Sequence, residues 1–452
     1  MVLDLRPTRP APLITWRRSF LPAVTGLGVI GAPALAYGAL RSQIGLGSLL
    51  LVAVGALGLF VPPDRLVALM APAWLFAPMS AQALSLARAA TWALAVGLLL
   101  RFVSGALPVR RAVVWLALFA AVLIVSLLHP AIAGSALISP WSDLVGVLCG
   151  LMVAAVAISA PPRPWIVAKA IAVAGALAAA FTLAAGQTDG GRLVTEGLNT
   201  NYLAAMMALP CIAALGLARY ARQPAWLVVA APCAVAVLQT YSRGALIAVA
   251  AGVGYLLLTN RTGRERALIV AAAALMPVLF GGFLTGLLFG ARTTTELDAN
   301  NAIRGDALRL ALQVALEHPL RGIGYNMFPL YATDAPQIGY FINTHNDFVR
   351  LACEAGLPAL AVFCMLLILA MRGRRGGSET VLRAVVVSYA VSLLFGNFLS
   401  SMVVSVPFWL ALGCLLAGGG EPPPARPARR RTAHDPAAGC RDGRRKGSRH
   451  AR

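Results

Sequence analysis

Residues 112–128 read AVVWLALFAAVLIVSLL, a run of 17 residues without one charged side chain. Residues 143–160 carry a single acid at their first position, and residues 267–290 carry no charge at all. Each run is close to the roughly 20 residues that a helix needs to cross a ~30 Å hydrocarbon core. Hydrophobic residues make up 59% of the 452 positions and charged residues 12%, far from the composition of soluble globular domains. The sequence therefore predicts a membrane protein.

Apolar runs of this kind recur along the chain. They predict an all-α, polytopic transmembrane helical bundle of 12–14 spans, with one long extracytoplasmic loop that contains amphipathic helices. The expected spans are 20–40, 45–61, 66–81, 89–105, 112–128, 143–160, 165–185, 200–218, 225–240, 243–259, 266–290, 357–371, 384–400 and 403–418. The expected domains are a cytoplasmic N-terminal segment (1–19), transmembrane helices (20–290), a periplasmic loop (291–356), C-terminal transmembrane helices (357–418) and a basic, disordered cytoplasmic tail (419–452).

The basic residues set the orientation. The formal net charge is +21, but most arginines lie in the tail or at the ends of apolar runs. With 14 spans, every basic link falls on one side, which the positive-inside rule assigns to the cytoplasm. This distribution argues against nucleic-acid binding. It also places the links 186–199, 240–243 and 291–356 on the extracytoplasmic face.

The link 291–356 is the only long one, and long ordered links in compact proteins are usually functional. Ile303, Ala307, Leu310 and Val314 recur at helical spacing and predict an amphipathic helix that ends at His318-Pro319. Further on, Thr344-x-x-Asp347 fits a capping pattern and predicts that a second helix begins at Thr344.

His345 is the sharpest chemical candidate on this face. Of the other histidines, two lie in the tail, His318 sits beside proline, and His129 is a weaker rival. With Thr344 as N-cap, His345 would lie in a first helical turn, where the helix dipole and nearby arginines disfavour the imidazolium. A neutral imidazole at pH 7 can act as a general base. The alternative is a polar residue at an interfacial helix start.

Three arginines map to the same face. Arg243 lies in Tyr241-Ser242-Arg243-Gly244, Arg304 lies in the predicted loop helix, and Arg192 lies in the link 186–199. A planar guanidinium suits bidentate contact with phosphate. Each arginine alone could equally snorkel at a membrane surface, so the convergence on one face is what favours a site.

The sequence predicts no cofactor and no metal site. It contains no P-loop, HExxH or GxSxG motif. Acidic residues do occur on the same face, but no pair has a spacing diagnostic of a metal site. The residues by themselves therefore do not decide whether a divalent cation binds there.

The order of these features resembles the O-antigen ligase and O-antigen polymerase superfamily of bacterial membrane glycosyltransferases, and most of all the lipopolysaccharide O-antigen ligases. The resemblance covers residues 199–357. Its motifs are Asn199-Thr200-Asn201-Tyr202, Tyr241-Ser242-Arg243-Gly244, Ile303-Arg304, His318-Pro319-Leu320-Arg321-Gly322-Ile323-Gly324, Thr344-His345-Asn346-Asp347 and Leu351-x-x-Glu354-x-Gly356-Leu357.

The resemblance implies an inverting, metal-independent glycosyltransferase of the GT-C type in the bacterial inner membrane, surrounded by membrane lipids and with a periplasmic active face. It would move O-antigen glycan from undecaprenyl diphosphate to a lipid A–core oligosaccharide. His345 would be the catalytic base, and Arg243 and Arg304, with Arg192, would bind the diphosphate. The supporting residues would be Asn201, Tyr241, Ser242, Asn346, Asp347 and Glu354.

Other functions stay open. A polymerase would pass the glycan to another lipid-linked repeat, and an O-oligosaccharyltransferase would pass it to a protein hydroxyl. A transporter of lipid-linked oligosaccharides or anions is the alternative from another class. A transporter would be expected to carry charged residues near the bilayer midplane and paired half-helices.

Overall fold

The computed structural model describes residues 110–127, 138–259, 294–373 and 376–418, together with Pro78 and Gly263; at 138–142 and 294–300 it describes the backbone. These residues form eleven helices and one two-stranded hairpin, which confirms the prediction of an all-α membrane protein. The segment 1–19, the predicted spans before residue 110 and at 266–290, and the tail 419–452 lie outside the described residues. The count of 12–14 spans therefore stays a prediction.

The elements are numbered in chain order. The helices are α1 (Arg111–Leu127), α2 (Ile138–Ser159), α3 (Pro164–Ala185), α4 (Thr200–Tyr220), α5 (Ala225–Gln239), α6 (Arg243–Leu258), α7 (Thr294–Glu317), α8 (Phe328–Asp334), α9 (Asp347–Met371), α10 (Gly377–Ser392) and α11 (Met402–Leu416). Strands β1 (Thr188–Asp189) and β2 (Arg192–Leu193) pair antiparallel between α3 and α4. Helices α3, α4 and α9 are long and apolar enough to cross a membrane, and five shorter apolar helices accompany them.

Helix α4 is the centre of the bundle and packs against α3, α5, α6 and α10. Its first turn is capped by Asn199, whose Oδ1 accepts from the backbone N–H of Asn201 (3.0 Å) and of Tyr202 (3.1 Å). Close approach to α3 depends on Gly175, because a Cβ there would lie 2.0 Å from Cγ of Pro210. Small residues at helix contacts are the usual means of tight packing in membranes.

The two ends of the bundle differ in chemistry. At one end, the Ser242 hydroxyl at the start of α6 donates to Asn201 Oδ1 at the start of α4 (3.1 Å). At the opposite end, the Tyr220 hydroxyl donates to Leu256 O (3.2 Å). Among the described residues, the link between α9 and α10, which carries Arg372, lies at the Tyr220 end, since a Cβ on Gly377 would lie 3.4 Å from Tyr220 Cβ. The candidate arginines Arg192, Arg243 and Arg304 lie at the Ser242 end.

Helix α7 forms the amphipathic helix that the sequence predicts, and it ends at Glu317, directly before His318-Pro319. Ala307, Leu310 and Val314 are buried in a small apolar cluster with α8 and the first half of α9. Ile303, which the pattern assigns to the same face, is 39% exposed. The prediction is wrong at this position because the buried face of α7 begins at Ala307.

The loop is fastened to α9 at a kink. Gly356 has a φ of 83°, and its Cβ would lie 2.5 Å from Leu320 O, so only glycine fits here. The kink interrupts the hydrogen bonds within α9, so two loop N–H groups donate to α9 carbonyl groups and one α9 N–H group donates to a loop carbonyl. The hydrogen bonds are Leu357 N to Pro319 O (2.7 Å), Ile323 N to Cys353 O (2.9 Å) and Gly324 N to Glu354 O (2.8 Å).

One predicted span begins and ends earlier in the chain than expected. The sequence predicts a span at 384–400, but α10 runs from Gly377 to Ser392 and α11 begins at Met402. Residues 393–401 form a non-helical segment, called here the 393–401 turn. The apolar pattern does not reveal it, because the side chains that hold it come from α4, α9 and α10: Tyr202, Asp347, Arg350 and Tyr389.

The two-ended bundle gives a topology prediction. Gln337 in the loop and Gln223 between α4 and α5 are both exposed. In intact cells, a membrane-impermeant maleimide should label Gln337→Cys but should label Gln223→Cys only after lysis, because positive-inside orientation puts the basic end in the cytoplasm. The wild-type chain gives the background from the native cysteines. Labelling of both variants without lysis, or of Gln223→Cys alone, would contradict the orientation.

Candidate functional site

A cavity of about 360 Å³ opens at the Ser242 end of the bundle. Three arginines from three separate segments line it: Arg192 from β2, Arg243 from α6 and Arg304 from α7. This space is called here the arginine cavity. Its other polar lining residues are Asn201, Tyr241, Ser242, Asn301 and Ser392.

Arg192 is presented by a tight hairpin. Gly190 and Gly191 both have positive φ (54° and 73°), which glycine adopts without steric cost. The hairpin brings the Arg192 guanidinium to the α5–α6 corner, where its Nε donates to Thr240 O (2.9 Å). Arg192 is therefore fixed to the same corner that carries Arg243.

Arg243 opens α6 on a strained corner. Tyr241 has a φ of 50°, a region that non-glycine residues rarely adopt. Ser242 is the N-cap but its side chain does not cap the helix, and its hydroxyl instead reaches Asn201. The Arg243 Nη2 donates to Asn301 Oδ1 on α7 (3.2 Å), which joins α6 to the loop helix. Gly244 is required because a Cβ would lie 2.6 Å from Cβ of Phe395.

The charge of the cavity suits an anion. None of the described residues that line it is acidic, whereas three are arginines. Guanidinium groups bind phosphate and carboxylate oxygens in pairs, and they do so most strongly where water is partly excluded. Apolar groups form the rest of the wall, including Phe395 and Phe398 of the 393–401 turn.

His345 lies on the short segment that enters α9, at the same end of the bundle. The prediction that Thr344 caps this helix is wrong: the N-cap is Asn346, whose Oδ1 accepts from Phe348 N (3.0 Å) and Val349 N (3.2 Å). His345 therefore precedes the helix rather than lying in its first turn. Its φ of 52° is again a strained value for a non-glycine residue.

The imidazole of His345 is held neutral. Burial first, and then the positive charge of Arg304, lower the pKa of His345 from 6.5 to about 4. The predicted direction of the pKa shift and the predicted contribution of an arginine agree with the structure, but burial takes the place of the helix dipole as the main cause. His345 does not line the arginine cavity, and Arg304 is the residue that relates the two.

Asp347 and Glu354 do not join the cavity. The family resemblance implies that they support the site, but both are buried (1% exposed) around the guanidinium of Arg350, which was not among the predicted site residues. Arg350 is itself 2% exposed and its Nε donates to Glu354 Oε2 at 2.9 Å. Further partners of Arg350 are Asp143 Oδ2 (3.0 Å), Asn326 Oδ1 (2.8 Å), Ser400 Oγ (3.3 Å) and, as an ion pair, Asp347 Oδ1 (3.7 Å). We call this the Arg350 cluster.

A sequence signal for the Arg350 cluster exists. Asp347, Arg350 and Glu354 are spaced i, i+3 and i+7, which places all three on one face of a helix. Charged residues in a helix that leads into a membrane span are costly unless they are paired. The spacing identifies the pairing on α9, but it cannot identify the partners from other segments.

No metal centre appears in the described part of the chain, where no group of three histidine, cysteine or acidic side chains could hold an ion. The carboxylates of Asp347 and Glu354 are instead turned toward Arg350. The metal-free site stays a prediction.

Comparison with known families identifies this region. Residues 227–364 match the family model described as O-antigen ligase, and this confirms the resemblance to the O-antigen ligase superfamily. The matched segment contains Arg243, Arg304 and His345, while Arg192 and Asn201 lie before it. The match supports an enzyme family of the O-antigen ligase or polymerase type. No curated protein sequence matches the chain.

The Arg350 cluster yields a stability prediction. Arg350→Met leaves buried carboxylates without their counter-charge and should destabilise the protein by about 3–5 kcal/mol. Arg309→Met is the matched control, because Arg309 also pairs with an aspartate, Asp306, but has a side chain that is 79% exposed. Thermal unfolding in detergent should show a large decrease in melting temperature for Arg350→Met and almost none for Arg309→Met. Equal melting temperatures would mean that the cluster does not hold the fold.

Proposed function

We propose that this relative of the O-antigen ligases moves O-antigen glycan from undecaprenyl diphosphate to a lipid A–core acceptor, on the periplasmic side of the bacterial inner membrane. One observation carries the proposal: three guanidinium groups converge in one cavity, and a neutral imidazole lies at the same end of the bundle. The guanidinium groups can stabilise an anionic leaving group, and the neutral imidazole can remove a proton.

The arginine cavity supports the role in leaving-group stabilisation. When the bond between the anomeric carbon and the diphosphate oxygen breaks, negative charge develops on that oxygen. Arg243 and Arg304 are fixed before the reaction, Arg243 by Asn301 and Arg304 by its place on α7. Preorganised cations in a partly dehydrated site stabilise developing charge without reorganisation. Arg192 would add a third contact to the same diphosphate.

His345 supports the role in acceptor activation. The acceptor hydroxyl oxygen attacks the anomeric carbon, its proton passes to the neutral imidazole, and undecaprenyl diphosphate leaves with the bonding electron pair. One direct displacement inverts the anomeric centre. The donor supplies the activation, so the proposed reaction uses neither a nucleotide sugar nor a cofactor.

The acceptor is tested with purified protein in detergent. We expect transfer of glycan from a lipid diphosphate donor to lipopolysaccharide core, detected as a mobility shift of the core. Lipid-linked repeats without core form the second arm. Elongation of those repeats alone would replace the ligase by a polymerase, and transport of the donor across vesicles without any transfer would reject an enzyme.

The general-base role is tested by His345→Asn. Asparagine tolerates the positive φ at this position better than most residues, so the backbone is kept while the base is lost. Single-turnover transfer should fall by about 10²–10⁴-fold, with donor binding unchanged. In the wild type the rate should stay level as the pH falls to about 5, and should drop only as the pH passes about 4, where His345 becomes protonated.

Arg243→Ala provides the contrast, because the loss of a diphosphate contact should weaken donor binding as well as turnover. Near-normal transfer by His345→Asn would refute the general base. An acid limb near pH 6.5 in the wild type would show that His345 is not held neutral by burial and Arg304.

A further inference from the structure

His345 is held between two fixed points. The segment Thr344–Asp347, called here the strap, is bonded on both sides of His345 to the 393–401 turn. Before His345, the amide Nδ2 of Asn397 donates to Thr344 Oγ1 (3.2 Å). After it, Asp347 N donates to Leu393 O (2.8 Å).

The second attachment is doubled by a side chain. Asp347 Oδ2 accepts from Phe398 N (2.6 Å) and from Leu399 N (2.8 Å). The carboxylate therefore caps the backbone of the turn instead of the helix that it begins. With one hydrogen bond before His345 and three after it, the strap cannot shift along the turn without breaking buried bonds.

The 393–401 turn is itself fixed to the bundle. The Tyr202 hydroxyl on α4 donates to Asn397 O (2.7 Å), and the Tyr389 hydroxyl on α10 donates to Phe398 O (3.0 Å). The Tyr202 ring also packs edge-on against Phe398, with ring centroids 5.1 Å apart. These contacts attach the turn to α4 and α10 at its midpoint.

The same turn forms part of the arginine cavity. Phe395 and Phe398 line the cavity, and Phe395 packs directly over Gly244, the neighbour of Arg243. The turn therefore contacts both the arginine cavity and the strap. It is thus one structural link between Arg243 and His345.

We infer that Asn397 is a positioning residue for His345, with its amide fixing the start of the strap to the turn that lines the arginine cavity. Asn397 is 7% exposed, and its Oδ1 has no partner among the described residues, so the bond to Thr344 is the contact through which the side chain acts. The catalytic consequence of this role rests on the proposed function, whereas the structural claim about His345 does not.

The chemistry of the strap indicates what loss of Asn397 would change. Burial is the main reason that His345 is neutral, and Arg304 on α7 is the charged group that acts on it. Asp347, two residues further on, is turned toward the 393–401 turn and Arg350. Without the bond at Thr344, the strap is held only after His345, by Asp347, so the imidazole gains access to water and moves relative to the arginines. Both its protonation and the geometry of transfer would then change.

The test uses the full chain in lipid nanodiscs with ¹³C-labelled histidine. Five histidines contribute signals, and His345→Asn identifies the signal of His345. In the wild type, this signal should not titrate between pH 5 and 8. In Asn397→Ala and in Thr344→Val, which removes the hydroxyl at constant shape, it should titrate with a midpoint shifted toward 6.5. Thr344→Ser keeps the hydroxyl and should restore the wild-type titration.

Activity gives the second readout. Turnover in Asn397→Ala and Thr344→Val should fall by about 10–100-fold while donor affinity is retained, because misplacement of a reacting group lowers the rate without removing the phosphate contacts. The midpoint pH of the acid limb of the rate profile should rise by the same amount as the titration midpoint of His345. Should Asn397→Ala not fold, Thr344→Val removes the same bond, together with the contacts of the Thr344 hydroxyl with Asn346 O (3.2 Å) and Asn346 N (3.5 Å).

The outcomes separate the two claims. A shifted titration in both variants supports the positioning role, even if the wild type transfers no glycan and the proposed function fails. An unchanged titration overturns the positioning role, whether turnover stays normal or falls, because a fall would then reflect general destabilisation.

Discussion

Removing a guanidinium from water costs several kcal/mol unless its donors find acceptors, and Arg350 meets this demand with groups from separate parts of the chain. Its partners come from α2, from the loop before α8, from α9 itself and from the 393–401 turn. The Tyr325 ring covers the guanidinium at 4.8 Å. Because each segment satisfies the same buried charge, none can move without stranding a donor, and the loop is thereby fixed to the bundle.

The site inherits its geometry from that constraint. The loop is held by Glu354, whose carboxylate accepts from the backbone of Asn326 (2.7 Å) and of Phe328 (3.1 Å). The 393–401 turn is held by Ser400 and carries the strap with His345. Positive charge and neutral base are then kept on separate segments. Arg304 acts on both groups, since it lines the arginine cavity and also lowers the pKa of His345.

Much of the fold could be predicted from local patterns. Uncharged runs indicated the helices, the run 200–218 indicated the start of α4, and His318-Pro319 indicated the end of α7. Helices satisfy their own backbone in a membrane, so their existence depends mainly on composition and length. The sequence analysis also placed Arg192, Arg243 and Arg304 on one face, and all three line one cavity. That inference was possible because the basic residues at the ends of apolar runs assign each link to one side of the membrane.

The sequence by itself determined the helical class, the two-sided distribution of charge and the family resemblance, because these depend on residues close in the chain. Only the tertiary structure decided that Asn346 rather than Thr344 caps α9. It also decided that Asp347 bonds the 393–401 turn and that burial, together with the charge of Arg304, keeps His345 neutral. Asn346 caps its own helix, but Thr344 bonds Asn397, 53 residues away, and Asp347 bonds Phe398 and Leu399, 51 and 52 residues away. No local pattern records those partners.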